Sequence, residues 1–155
     1  MSVDFAPTVR PATPADLLVV EAIERASFVD PWPRSALLQE LKTDRLRRPI
    51  AAEKSGMLIG YLMGWFVADE LHIINLAVDS QERGSGIGTL LLADICAEAR
   101  RRKCRLATLE VRDSNVEARG FYERNGFRTR GRRRSYYRDP CEDAVIMTLD
   151  LAAEI

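Results

Sequence analysis

Three glycines lie within six residues at positions 83–88, Arg-Gly-Ser-Gly-Ile-Gly, directly before an amphipathic run that extends to residue 103. Glycine has the most backbone freedom to lose, so alternating glycines indicate a backbone that a side chain would obstruct. The first-turn amides of a helix have no partner inside the helix, and the helix dipole is positive there. The stretch therefore predicts a helix N-terminus that binds an anion such as phosphate, although a glycine turn that only leads into a helix has the same composition.

The rest of the chain divides into short helices and strands by its hydrophobic periodicity. Apolar residues at helical spacing, with Thr13 and Pro14 at the first helix start and a proline break before the second helix, predict the helices. Apolar runs and alternating segments bounded by turn residues predict the strands. The predicted helices are 13–28, 31–43, 86–103 and 114–126, and the predicted strands are 8–11, 47–56, 57–69, 70–79, 105–113, 127–138 and 143–151.

The order of these elements restricts the fold class. Strands joined by short turns, such as the turn at residues 55–56, pair in antiparallel fashion, whereas the strand, glycine loop, helix and strand of residues 70–113 need a parallel βαβ crossover. No repeat or low-complexity linker interrupts the 155 residues. We therefore predict a single mixed α/β domain over residues 1–155, with a mostly antiparallel sheet and one crossover that carries the glycine loop.

Composition excludes several classes of protein. The chain has 23 basic and 23 acidic side chains, so no overall charge favours nucleic acid. Three cysteines without CxxC spacing and a single histidine favour neither a disulfide framework nor a metal site. Residues 1–16 lack the basic and apolar segments of a secretory signal, and the apolar run 57–68 is shorter than the ~20 residues of a membrane span. We expect a cytoplasmic protein with no membrane partner.

Two known phosphate-binding loops do not fit the glycine stretch. A Walker loop ends in Gly-Lys-Ser/Thr, but Thr89 follows Gly88 without a lysine. The dinucleotide fingerprint GxGxxG differs from the GxGxG spacing found here, and residues 79–83 separate the strand from the first glycine. Glu110 lies about where the ribose-binding acid of that fingerprint would be, so this alternative retains a partial match.

A third form does fit, Arg/Gln-x-x-Gly-x-Gly/Ala after a strand that ends in Leu-Ala-Val-Asp. With LEVRDSN at 109–115, FYERNGF at 121–127 and YYRDPCEDAVIM at 136–147, the chain resembles the GNAT-type N-acetyltransferases over almost its whole length. FVDPWPRSAL, LEVRDSN, RRRSYY and EDAVIM look like the bacterial ribosomal-protein-alanine N-acetyltransferases, which acetylate the N-terminal alanine of a small-subunit ribosomal protein. That group usually has Ser or Thr where this chain has Pro33, which bears on peptide preference.

The resemblance implies the GNAT-type acyl-CoA N-acyltransferase fold, acetyl-CoA as cosubstrate, a protein N-terminus as acceptor and no metal. It implies Glu110 as general base and Tyr122 as general acid. Strand alternation places Glu110 on a polar face with Arg112, where an ordinary ion pair with Arg112 or with a neighbouring strand is the alternative. Tyr122 could instead be a core side chain. The implied cofactor-binding residues are Leu76, Ala77, Val78, Arg83, Gly84, Ser85, Gly86, Ile87, Gly88 and Asn115.

The helix at 114–126 has its own start and stop signals. Ser114 and Glu117 have the spacing of a capping box, and Gly126 stands at the C-terminal end. Asn115 could cap this helix, contact the cofactor, or do both.

Other features leave alternatives open. His72 is most simply a structural or substrate-lining side chain. The arginines of 128–138 could contact nucleic acid, but an alternating strand favours a solvated face, with Tyr136 and Tyr137 beside an acceptor groove by resemblance. An acetyltransferase of a small-molecule amine, or a non-catalytic acetyl-CoA-binding module that docks on the ribosome, are the alternative functions.

Overall fold

The computed structural model describes residues 6–152; residues 1–5 and 153–155, the two ends of the predicted domain, lie outside the described part. The strands of this part are β1 (Thr8–Pro11), β2 (Arg47–Lys54), β3 (Met57–Val67), β4 (Glu70–Val78), β5 (Leu106–Arg112), β6 (Arg128–Arg138) and β7 (Cys141–Asp150). The helices are α1 (Leu17–Ser27), α2 (Arg34–Glu40), α3 (Ile87–Arg101) and α4 (Val116–Arg124), with short 3-10 turns at Pro14–Asp16 and Ser80–Glu82.

All seven strands join one sheet in the order β1-β2-β3-β4-β5-β7-β6. Neighbouring strands are antiparallel except β4 and β5, which are parallel and connected through α3. The predicted mixed α/β fold with a single βαβ crossover behind the glycine loop is therefore confirmed.

The two faces of the sheet bury two apolar cores. Leu91 and Ile95 of α3 pack on one face, together with Leu109 of β5. On the other face α1 and α2 cover β2, β3 and β4, where Val20 and Leu37 are fully buried. Because Leu109 points into the first core, its neighbour Glu110 projects from the opposite face, where it is exposed. That face of β5, β7 and β6 is the open part of the sheet.

Strand β4 separates from β5 halfway along its length. Only Glu70 to Ile73 pair with β5, and a bulge at Ile74 then redirects the strand while it stays paired with β3. The Asp79 amide donates to the Ile59 carbonyl, so by antiparallel alternation the Ala77 amide also points to β3. The amides of Leu76 and Val78 consequently point into the gap between β4 and β5.

Of the two caps that the sequence allowed for helix α4, the Asn115 cap is the one that forms. Asn115 is the N-cap, and its Oδ1 accepts a hydrogen bond from the Ala118 amide at 3.1 Å. The predicted capping box of Ser114 and Glu117 is wrong because the Ser114 amide and hydroxyl donate to Glu142 of β7, at 2.9 and 3.0 Å. A partner from a distant strand replaces the local one, and the helix starts one residue later.

Candidate active site

A cleft of about 600 Å³ opens between the end of β4, the glycine loop and α4. It brings together nearly all of the site residues predicted from sequence. Those that line it are Leu76, Ala77, Val78, Arg83, Gly84, Gly86, Ile87, Gly88, Asn115 and Tyr122. Ser85 and Glu110 do not line it. The Ser85 hydroxyl turns back and donates to the Glu82 carbonyl, so it stabilises the loop itself.

Each glycine of the loop is needed for a different physical reason. Gly84 and Gly86 have φ values of +81° and +86°, in the left-handed region that favours glycine. At Gly88 space is the constraint, since a Cβ there would lie 2.9 Å from Cζ of Phe121. The loop thus turns sharply into α3 and lets α4 approach it, which leaves the first-turn amides of α3 at the cleft.

Arg83 places a positive charge at the mouth of the cleft. Its Nε donates to the Val78 carbonyl at 3.3 Å, and its guanidinium donates to the Ser27 hydroxyl at 3.1 Å. Combined with the N-terminus of α3, this charge gives the cleft the electrostatics of an anion site. The free amides of Leu76 and Val78 add donors for an elongated ligand with carbonyl groups, because unpaired backbone amides need acceptors.

Tyr122 lies on α4, and although it is buried it contributes to the lining of the cleft. The ring makes edge contacts with Phe121 and Phe127, with centroids 5.1 and 5.5 Å away. Burial raises the pKa of Tyr122 above its ordinary value, and the nearby Tyr137 phenol raises it further. The phenol therefore keeps its proton at neutral pH and can act only as a proton donor there.

Glu110 lies on the open sheet face beyond the cleft. Its Oε1 is 3.2 Å from Nε of Arg133, and its carboxylate lies close enough to the Tyr136 phenol to help burial raise the pKa of that phenol. The ion pair with Arg112 that the sequence allowed is not formed, since Arg112 pairs with Glu142 instead. With its side chain 34% exposed, Glu110 remains accessible to an incoming molecule.

The tyrosines beside Glu110 owe their position to an irregular stretch of β6. Pairing with β7 skips from Arg133 to Tyr137, and Ser135 has a φ of +51°. The Ser135 amide donates to Oδ1 of Asp143 at 2.9 Å, which fixes this distortion. Burial, followed by the Tyr136 phenol, raises the pKa of Tyr137 to about 12.

Glu24 is a buried carboxyl group that was not among the residues predicted from the sequence. Its Oε1 accepts hydrogen bonds from the Tyr61 hydroxyl at 2.5 Å and from Nδ2 of Asn75 at 2.7 Å, and its Oε2 accepts the Trp32 amide at 2.9 Å. The side chain anchors the α1–α2 connection to β3 and to the β4 bulge. Its signal was present, since Glu24 lies four residues after Val20, on the apolar face of α1.

The remaining polar candidates lie away from the cleft. Nε2 of His72 is 3.0 Å from Oε1 of Glu70, near the start of β4. Cys96 and Cys104 are buried, Cys141 is exposed, and all three are free thiols. Within residues 6–152 there is no cluster of three or more potential metal ligands. No helix in this range is long and apolar enough to span a bilayer.

Several known proteins are similar to this chain in sequence. The sequence model of the Acetyltransferase (GNAT) family matches residues 17–127. A Bacillus subtilis (strain 168) protein, provisionally named a ribosomal protein bS18-alanine N-acetyltransferase, is 36% identical over 132 residues, which cover 85% of this chain and 87% of that protein. The Mycobacterium tuberculosis protein named N-alpha-acetyltransferase RimI is 34% identical over 157 residues and 97% of each chain.

The same similarity holds in three dimensions. The crystal structure of the ribosomal-protein-S18-alanine N-acetyltransferase from Escherichia coli matches with a TM-score of 0.86 and 29% identity, over 97% of both chains. The segment that the family model matches, residues 17–127, includes β4 and β5, which separate from each other, and the glycine loop before α3. The chain therefore belongs to the GNAT family and is an acetyltransferase.

Proposed function

We propose that this protein transfers the acetyl group of acetyl-CoA to the free N-terminal amine of a protein, most readily the N-terminal alanine of a small-subunit ribosomal protein. The observation that best supports acetyl-CoA as cosubstrate is the gap between β4 and β5. There the Leu76 and Val78 amides face a cleft that ends at the N-terminus of α3. The acceptor class rests on the relatives, whose names specify ribosomal alanine or N-terminal α-amino acetylation.

The residues of the cleft fit acetyl-CoA, the acetyl donor of the family. When bound, it supplies an acetyl group as a thioester. The first-turn amides of α3 and the Arg83 guanidinium suit its pyrophosphate, and the left-handed Gly84 and Gly86 keep side chains off that backbone. The amides of Leu76 and Val78 suit the amide carbonyls of its arm.

Glu110 and Tyr122 divide the proton handling between them. An α-amino group has a pKa of about 7.7–8.0, against about 10.4 for lysine, so an exposed carboxylate is a sufficient base for the terminal amine. Glu110 accepts the proton of the amine at its carboxyl oxygen. Tyr122 holds a proton at its hydroxyl oxygen for the departing sulfur, as its raised pKa allows.

The surroundings of Glu110 support a polypeptide terminus as acceptor. Tyr136, which is 47% exposed, lies near the carboxylate, and both burial and this charge raise the pKa of its phenol. Asp30 comes within 3.9 Å of Arg112, which brings the α1–α2 connection next to the end of β5. This connection also has Phe28, which lines the cleft, and Val29, which is 81% exposed. A polypeptide terminus that approaches Glu110 would thus meet both apolar and acidic groups.

The first test compares two peptides in the presence of acetyl-CoA, one with a free N-terminal alanine and one with a blocked N-terminus and internal lysines. We expect a mass gain of one acetyl group on the first peptide alone, because only its amine is largely neutral near pH 8. The same alanine peptide, N-acetylated beforehand, is the control.

Other results would point to the alternatives. Acetylation of the blocked peptide would assign a lysine acceptor. Reaction with a free polyamine but neither peptide would assign a small-molecule amine. Binding of acetyl-CoA with no transfer to any of these amines would favour a non-catalytic module.

Tyr122→Phe tests the general acid. We expect kcat to fall roughly 10- to 100-fold, since proton donation to the leaving group is lost while the buried ring keeps its contacts. The raised pKa keeps the phenol protonated between about pH 6 and 9, so the loss should be the same across that range. Steady-state kinetics at several pH values measure it; an unchanged kcat, or a loss that disappears at low pH, would contradict this role.

A further inference from the structure

Arg112 lies two residues after Glu110 on β5, so both side chains project from the open face of the sheet. The Arg112 side chain is only 15% exposed, although it stands at a strand end. Its surroundings explain why, because the guanidinium bridges several parts of the chain that would otherwise be independent loops.

The guanidinium first fixes the β6–β7 turn. One of its terminal nitrogens donates to the Pro140 carbonyl at 2.9 Å and lies 3.2 Å from Oε1 of Glu142. The other donates to the Asp139 carbonyl at 3.2 Å. A planar group with several fixed donors can satisfy these acceptors together, which a single ammonium group cannot do.

The same guanidinium contacts two segments near the end of β5, the β6–β7 hairpin and the α1–α2 connection. It stacks on the Tyr137 ring of the hairpin, with 4.3 Å between its carbon and the ring centroid. It also lies 3.9 Å from Oδ2 of Asp30, which belongs to the α1–α2 connection. Arg112 thus joins the hairpin to the α1–α2 connection.

Tyr137 connects the Arg112 guanidinium to the surroundings of Glu110. Its ring makes an edge contact with Tyr136, at 5.1 Å between centroids, and Arg133 lies beside both Tyr136 and Glu110, 5.9 Å from the Tyr136 ring centroid and 3.2 Å from Oε1 of Glu110. Two carboxylates, those of Glu142 and Asp30, face the guanidinium of Arg112. Glu142 also accepts a hydrogen bond from the Ser114 amide. This hydrogen bond is the largest of several contacts that lower the pKa of the Glu142 carboxyl.

We infer that Arg112 is a positioning residue for the acceptor, an inference that rests on the proposed function. Arg112 sets the distance between Asp30 on the α1–α2 connection and the two tyrosines, Tyr136 and Tyr137, on β6. It thereby determines how a polypeptide N-terminus is held in front of Glu110.

Within residues 6–152, the hydrogen bonds, ion pairs and ring contact of the Arg112 side chain involve Asp30, Tyr137, Asp139, Pro140 and Glu142, none of which lines the cleft. Its backbone carbonyl accepts a hydrogen bond from the Asn115 amide at 3.0 Å, which the substitution of the side chain leaves in place. The residue therefore acts on acceptor binding more than on acetyl-CoA binding.

The test is Arg112→Lys, which keeps the charge but loses the planar fork. We expect KM for the alanine peptide to rise about tenfold, with less than a threefold change in kcat and an unchanged Kd for acetyl-CoA, because the groove is displaced while the chemistry remains. A merely structural role would reduce the active fraction and hence kcat, without altering KM. Arg132→Lys is the matched control, since Arg132 lies on the same hairpin and pairs with Asp113.

A second variant keeps the test decisive if Arg112→Lys fails to fold. Tyr137→Leu removes the ring under the guanidinium and should raise the peptide KM in the same way. The effects of the two substitutions should be less than additive in the double variant, because both remove the stacking contact between Arg112 and Tyr137. A peptide KM within twofold of wild type for the single variants, or fully additive effects, would overturn the inference. A wild-type protein that acetylates no N-terminal amine would instead overturn the proposed function, and this inference with it.

Discussion

Replacing Glu110 with glutamine is expected to lower kcat for the alanine peptide by about 10²- to 10³-fold, because an amide cannot accept the proton of the attacking amine. The side chain keeps its shape, and Glu110 lies outside the cleft that would hold acetyl-CoA, so the Kd for acetyl-CoA should stay within twofold. Steady-state kinetics with the peptide and calorimetric titration with acetyl-CoA measure the two quantities separately.

A neighbouring carboxylate provides the control for this substitution. Glu123 is exposed on α4, next to Tyr122, and Glu123→Gln makes the same chemical change without touching the proposed site. Its kcat should equal that of the wild type. If Glu110→Gln also kept full activity at every pH, the base would have to be another group or solvent, and the assignment of Glu110 would be abandoned.

Replacing Glu24 with leucine is expected to lower the free energy of unfolding by about 3–5 kcal/mol. The substitution leaves three donors, from Tyr61, Asn75 and the Trp32 amide, without their shared acceptor in a site that is 1% exposed. Each buried polar group left unsatisfied costs about 1–3 kcal/mol, and partial rehydration of the Trp32 amide reduces the sum. Thermal and urea unfolding measure the change.

The matched controls separate burial from charge. Glu123→Leu removes an equal charge from an exposed helical position and should change stability by less than about 0.5 kcal/mol. Glu24→Gln keeps one acceptor oxygen and should lie between the wild type and Glu24→Leu. An unfolding midpoint for Glu24→Leu equal to that of the wild type would mean that the network contributes nothing to stability.

Local sequence signals were sufficient for most of the fold. The glycines at 84 and 86 need a left-handed backbone, and the hairpin turn at residues 55–56 has positive φ at both positions. Such signals are readable because they depend on a few adjacent residues. The order of strands and helices followed from periodicity, and the short turns and the one long connection then indicated which strands are antiparallel and which pair is parallel.

Partners chosen across the fold were not readable in this way. Ser114 had the spacing of a capping box but bonds to Glu142, 28 residues later, so of the two predicted caps only Asn115 forms. Glu110 had Arg112 or a neighbouring strand as possible ion-pair partners, and it pairs with Arg133 of β6. In each case a side chain from another strand competes successfully with the local partner. A single sequence does not show which of the two partners will be the nearer one in the folded protein.

The sequence by itself determined the elements, the crossover behind the glycine loop and the chemical types present at the cleft, because these depend on periodicity, on backbone restrictions and on residue spacing. Only the tertiary structure decided that the bulge at Ile74 parts β4 from β5 and that Arg112 joins two loops. It also decided that Glu24 is buried under three donors. Those features arise from pairing register and from contacts between residues far apart in the chain, which become neighbours only when the sheet is assembled.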